Sequence, residues 1–248
     1  MNINNPLIDF TDSIAGIVRS DYRTADVFNR YDISFCREGQ LTISQACREK
    51  KIESGMLLAD LQRVTRNVLL SNHIQFSSWD VGFLVDYILN VHHAYLHRIM
   101  PILGTGLRTV CVTHRHQYPE LSQVLEIYED AEVLIQAHLR HEEEIIFPYI
   151  KQIENAHRRK ESYAHLFVRT LRKPLHNIET EHRRIRNVLN DLRMQSNYFQ
   201  VPAETCTQQH VVYSRLREWD ADLEQHAWLE NQVLFPKAIL MEKELLQL

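Results

Sequence analysis

The chain has 248 residues, a formal charge of −4, 44% hydrophobic and 24% charged residues, enough apolar material for a packed core in one or two domains. The acidic balance argues against a nucleic-acid binder, which needs a basic surplus to neutralise phosphates. No apolar run reaches the ~20 residues of a membrane-spanning helix, and only six glycines and seven prolines are present, which favours long helices over a turn-rich β fold.

The amino terminus, MNINNPLIDFTDS, has no basic stretch leading into an apolar core, so no secretory signal is expected and the cytoplasm is the expected compartment. Cys36, Cys47, Cys111 and Cys206 show no CxxC spacing. Reduced thiols are expected, not a disulfide framework or a zinc knuckle. Residues 1–70 read as a small helical module, with helical stretches at 22–31, 44–51 and 54–66 around the segment DISFCREGQ. The polar, aperiodic SNHIQFSS at 71–78 reads as a linker, with Ser77 or Ser78 as the N-cap of the next helix.

Residues 79–248 carry four long helical patterns. The first runs over 79–103 and is expected to end near Gly104-Thr105-Gly106; the second runs over 119–155. The third covers 174–194, with Pro174 in its first turn and a further helical piece at 163–172. The fourth begins after Pro202 and reaches about residue 241. The expected architecture is all-α: an up-down four-helix bundle preceded by a small helical domain.

The inward seams of these helices are apolar except at a few ionisable positions. Leu175, Ile178, His182, Ile185, Leu189 and Leu192 alternate at spacings of three and four, as do Val212, Leu216, Trp219, Leu223, His226, Glu230 and Val233. The second helix repeats the pattern through Leu121, Leu125, Tyr128, Glu132, Ile135, His138, Glu142 and Ile145. On the first helix, the seam through Val85, Leu89, Leu96 and Met100 admits either His92 or His93. Burying an unpaired carboxylate or imidazole costs several kcal/mol. One seam histidine is ordinarily a hydrogen-bonded core residue, but two His-x-x-x-Glu pairs on seams call for a stronger partner, because positions i and i+4 share a face.

An internal repeat strengthens that reading. HLRHEEEIIFP begins at His138 and HAWLENQVLFP at His226; His93 lies 45 residues before the first and His182 lies 44 before the second. Two helical hairpins thus each offer one histidine and one His-x-x-x-Glu. Two glutamates able to bridge and four histidines give each of two metals two nitrogens and leave open positions. That mixed donor set suits iron, with manganese or zinc as rivals. Ferritin-like sites use Glu-x-x-His and more carboxylates. His141 reads as a surface residue beside Glu143 and Glu144.

These motifs resemble hemerythrin-like domains. The whole chain is similar to the iron–sulfur cluster repair di-iron proteins, the repair-of-iron-centres family, with an amino-terminal ScdA-type module. The resemblance rests on His-x-x-x-Glu-Glu-x-Ile-Ile-Phe-Pro at His138, Glu179-Thr-Glu-His182, His226 to Pro236, and RYDISFCREG in the module. In that family the first-helix ligand stands eight residues before a proline; Pro101 thereby selects His93. The resemblance implies a ligand set of His93, His138, Glu142, His182, His226 and Glu230, holding two non-haem iron ions per chain with an oxo or hydroxo bridge. Oxygen-carrying hemerythrins use a fifth histidine and a bridging aspartate, which are not among the residues matched here. The family's Cys-Cys-Gly-Gly is reduced here to Cys36 followed by Arg37 and Glu38. Cys36 therefore reads either as a functional thiol or as a half-buried structural one.

The resemblance implies a cytoplasmic protein of the nitrosative and oxidative stress response. It would restore damaged iron–sulfur clusters by iron donation, nitric oxide chemistry, or both. Its partners would be damaged iron–sulfur proteins and small ligands such as nitric oxide or dioxygen; no nucleic acid or membrane is expected, and a homodimer is admitted without a pattern that specifies it. Glu181 reads as an acid or base beside His182, or else as a surface carboxylate. The alternative functions are a hemerythrin-like dioxygen or iron binding or sensing protein without turnover, and a metal-free helical interaction protein.

Overall fold

A computed structural model describes residues 8–65, 75–159, 172–201 and 205–246 of the chain, with the side chains of 172–177 excepted. The described residues are all-α, and those that come after the amino-terminal helices form a helical bundle. They divide into two compact units, one of the residues up to Asn72 with Phe199–Arg217, the other of His73–Tyr198 with Glu218–Leu248.

The first unit begins with α1 (Ile14–Ser20), α2 (Thr24–Arg30), α3 (Ile43–Lys50) and α4 (Ser54–Thr65). Side-chain caps set the starts of two of them. Ser13 accepts the Gly16 N–H, and Thr42 and Gln45 form a reciprocal capping box at α3. The helices close over Ile14, Phe28, Ile43, Leu57 and Leu61, and Val211 joins this core from the Phe199–Arg217 segment. The expected stretches correspond to α2, α3 and α4; α1 is not among them.

The bundle helices are longer and are interrupted by π-helical turns. Helix α5 (81–114) consists of Val81–Tyr87, a π segment Ile88–His93, and Ala94–His114. Helix α6 (120–159) has its π segment at Glu142–Ile146, and α8 (207–245) has one at Glu230–Leu234. Helix α7 spans Arg172–Gln195. Helix α6 packs along both α5 and α7, and its last part lies against the end of α8. The expected piece at 163–172, apart from its last residue, and the side chain of Leu175 lie outside the described residues.

Two boundaries differ from expectation. Helix α5 does not stop at the Gly104-Thr105-Gly106 step but continues to His114. Both glycines are buried there; a Cβ on Gly104 would meet the end of the Arg108 side chain at 3.1 Å and the Tyr128 ring at an ordinary contact distance of 3.5 Å. Tyr128 is fully buried, donates its hydroxyl to the Met100 carbonyl at 2.7 Å, and packs against Trp219 with ring centroids 5.5 Å apart. At the other end, Ser77 and Ser78 lie in a short 3-10 turn (Phe76–Ser78), and Asp80 occupies the N-cap position of α5.

The π segments also correct the α6 seam. Ile145 is 53% exposed while Ile146 is fully buried. A turn closed by i→i+5 bonds holds one more residue than an α turn. It rotates the inward face by one position, from Ile145 to Ile146. Glu132 is only partly buried, and Val124 and Ala131 line the inward face beside Tyr128.

A candidate metal centre

The three π segments stand where ionisable residues enter the core. His93 ends the one in α5, Glu142 opens the one in α6, and Glu230 opens the one in α8. His138 and His226 lie one turn ahead of their glutamates, and His182 comes from α7. All six side chains are buried, both carboxylates completely. The structure brings all six together.

They form two four-donor groups that share their carboxylates: His93, Glu142, His226 and Glu230, and His138, Glu142, His182 and Glu230. Within each group the donor atoms lie within 4.8 Å of one another. In the first, His93 Nε2 and His226 Nε2 lie 3.4 and 3.5 Å from Glu142 Oε2, and His226 Nε2 lies 2.9 Å from Glu230 Oε1. In the second, His138 Nε2 lies 3.3 Å from Glu142 Oε1, and His182 Nε2 lies 3.2 Å from Glu230 Oε2. Each glutamate therefore turns one oxygen to each group. The imidazoles pair across the two sequence hairpins: His93 with His226, and His138 with His182.

The donors are aimed at common points more than at each other. Neither oxygen of Glu142 or Glu230 makes an aligned hydrogen bond, although all four are buried. Buried carboxylate oxygens are normally satisfied, so four together need a positive partner. The ring nitrogens face one another as closely: 3.2 Å for His93 Nε2 to His226 Nε2 and 3.1 Å for His138 Nε2 to His182 Nε2. Two bare nitrogens at that distance repel unless a cation or a proton lies between them. Without a cation, protons take that place. Burial alone would lower the His182 ring, but Glu142 and Glu230 beside it raise it to about 9. Burial likewise opposes a charged His226, and the same two carboxylates push it well above its ordinary value. Burial would raise Glu142, yet His138 and the other imidazoles hold it well below the usual carboxylate range. Mixed imidazole and carboxylate donors with shared carboxylates are what a pair of first-row transition metals accepts.

The other face of three of these rings is held by groups that the seam pattern does not reveal. His93 Nδ1 lies 2.8 Å from Glu143 Oε1, and the same oxygen lies 2.9 Å from His97 Nε2. His138 Nδ1 and His141 Nδ1 both lie 3.1 Å from Glu181, and His182 Nδ1 lies 3.3 Å from Asn231 Oδ1. An ionised carboxylate only accepts, so the rings facing Glu143 and Glu181 donate from Nδ1 and turn Nε2 inward as a lone pair. His141 thus stands beside Glu181, not beside Glu143 and Glu144, and Glu181 is a hydrogen-bond partner of His138. His92 is as buried as His93 but sits outside both groups, with Nδ1 3.0 Å from Asp222 Oδ1. Asp222 lies one turn before His226, a position a helical-wheel reading could have flagged. A groove of about 320 Å³ reaches the centre between α7 and α8, and His138, His182 and His226 line it.

Among the described residues no helix is long and apolar enough to cross a membrane. A family model described as the hemerythrin HHE cation binding domain matches residues 84–238, and one described as a domain of unknown function, ScdA_N (DUF542), matches residues 11–65. The iron-sulfur cluster repair protein ScdA of Staphylococcus haemolyticus is 25% identical over 224 residues, covering 90% of this chain and 96% of the relative. That of Staphylococcus epidermidis is 26% identical over 232 residues, 93% of this chain and 99% of the relative. The iron-sulfur cluster repair protein YtfE of Escherichia coli O157:H7 is 25% identical over 223 residues, 89% of this chain and 93% of the relative.

Proposed function

The chain belongs to the hemerythrin family of HHE cation-binding domains, and on that premise we propose that it is a di-iron protein that repairs iron–sulfur clusters damaged by nitrosative or oxidative stress. His93, His138, Glu142, His182, His226 and Glu230 are the metal ligands in this reading, with two iron ions per chain and an oxo or hydroxo bridge between them. The observation that carries it is the sharing of Glu142 and Glu230, each of which offers one oxygen to each four-donor group. The names of the relatives, which match nearly end to end, support the repair role.

When bound, iron at these donors supplies positions for nitric oxide or dioxygen and is itself available for donation. The chain's own groups do the rest. Glu143 and Glu181 orient His93 and His138, the apolar seams keep bulk water out, and the groove beside His138, His182 and His226 admits small ligands. The cytoplasm is the proposed location, and damaged iron–sulfur proteins are the proposed clients. All six ligands fall in residues 79–248, so we assign metal binding to that part and client or self-association to residues 1–70.

The test is repair of a nitric-oxide-inactivated iron–sulfur enzyme by anaerobically purified, iron-loaded protein. Recovery of client activity with loss of iron or consumption of nitric oxide is expected. A dioxygen adduct that forms and reverses, with no repair and no nitric oxide consumed, would instead establish a hemerythrin-like binding or sensing protein.

A further inference from the structure

Cys36 and Cys206 are 170 residues apart in the chain but both make hydrogen bonds to the first turn of α8, within the amino-terminal unit. Cys206 immediately precedes that helix, and its Sγ accepts the Gln209 N–H at 3.4 Å. Cys36 is exposed in the segment between α2 and α3, and its thiol donates to Gln208 Oε1 at 3.8 Å. Two consecutive residues of one helical turn therefore hold the two sulfurs. The other thiols are placed differently: Cys47 is buried in the core of this unit, and Cys111 is buried in α5 beside Ser122. Burial of the Cys36 sulfur, and after it the neighbouring Cys206 sulfur, push the Cys36 thiol up, which agrees with sulfurs close enough to feel each other's charge.

We propose that Cys36 and Cys206 are a reversible dithiol–disulfide pair, oxidised by a small-molecule disulfide such as glutathione disulfide. The Cys206 sulfur, already a hydrogen-bond acceptor at the helix start, attacks as the thiolate. One sulfur–sulfur bond of the oxidant breaks, a mixed disulfide forms, and the released glutathione thiolate takes up the proton that Cys206 lost. Cys36 then loses its proton to solvent and attacks the Cys206 sulfur. The protein disulfide forms, and the second glutathione leaves and is protonated. Two protein thiols are oxidised and one glutathione disulfide is reduced to two glutathione molecules. The product ties the Cys36 segment to the helix that, further along, carries His226 and Glu230.

The test equilibrates the full-length, metal-loaded protein anaerobically with reduced and oxidised glutathione, then counts free thiols by alkylation and maps linked peptides. The expected result is the loss of two thiols in one step, a Cys36–Cys206 linked peptide, and Cys47 and Cys111 still reduced. Cys36→Ser should trap glutathione on Cys206, and Cys206→Ser should leave Cys36 mainly reduced. The proposal is overturned if the wild-type protein accumulates mixed disulfides without the internal link, if the link joins Cys36 residues of two chains, or if neither thiol reacts across the buffer series.

Discussion

The two four-donor groups have the same composition, two imidazoles and the same two carboxylates, but different surroundings. In the group of His93 and His226, only His226 lines the groove, and the ring of the buried, Asp222-bound His92 stands 6.0 Å from His226. In the group of His138 and His182, both rings line the groove and both Nδ1 atoms face polar side chains of the bundle, Glu181 and Asn231. Equal donors set behind unequal walls imply sites of similar preference and unequal access. A metal held at the second group would lie nearer to solvent, to a chelator and to a small ligand than one held at the first.

The largest effect should come from the shared carboxylates. Glu142→Ala or Glu230→Ala removes a donor from both groups, so both metals should be lost, and metal analysis after purification checks it. Loss of a single metal in either variant would break the bridging account. Removal of one imidazole should be selective. His93→Ala should deplete the enclosed site, and His182→Ala the site on the groove. His92→Ala should keep both metals yet lower the melting temperature, because it strands the Asp222 carboxylate. If His92→Ala empties the site and His93→Ala does not, the ligand assignment on α5 is wrong by one residue.

A smaller effect is expected from the groups that orient the rings. Glu181→Ala or Glu143→Ala should weaken metal binding by about 10–100-fold, measured by competition with a chelator, and glutamine at either position should restore part of it. Chelator release in the wild-type protein should be biphasic, with the faster half abolished in His182→Ala. A single phase for both metals would remove the proposed inequality of access.

The difference between protons and metals at the same nitrogens gives a pH signature. His182 is raised from its ordinary 6.5 to about 9 in the metal-free protein. Its stabilising contribution is therefore complete below 6.5 and is lost as pH climbs through about 9. Glu142 and Glu230 are lowered from 4.5, so their contribution is present above that value and is lost as pH falls through their depressed range. The metal-bound protein needs neutral imidazoles and gains affinity as protons leave. The melting-temperature gap between loaded and metal-free protein should widen from pH 6.5 to about 9; a constant gap would contradict protonated imidazoles in the metal-free centre. The smallest effect is Tyr128→Phe, which removes a buried hydrogen bond to Met100 and should cost about 1 kcal/mol by denaturant titration.

Much of this was legible in the residues because a bundle seam is a one-dimensional pattern. Trp219, Leu223, His226, Glu230 and Val233 keep their spacing and all are buried. The pattern blurred where the helix itself changes pitch. The π turn at Ile88–His93 buries two consecutive histidines, so periodicity could not choose between them, and the one at Glu142–Ile146 moved the inward face from Ile145 to Ile146. Gly104 reads as a terminator, but the helix runs through it to His114. The pairing of His93 with His226, and the orienting roles of Glu143, Glu181 and Asn231, depend on which helices are neighbours in space. Local spacing does not encode that.

The bridged pair is the central claim, and metal stoichiometry joined to magnetic behaviour tests it most directly. Full-length protein purified anaerobically from iron-rich medium should hold about two iron ions per chain. After oxidation, Mössbauer spectroscopy in an applied field should show an antiferromagnetically coupled ferric pair with no net spin. One metal per chain, two uncoupled ferric ions, or zinc alone would contradict it.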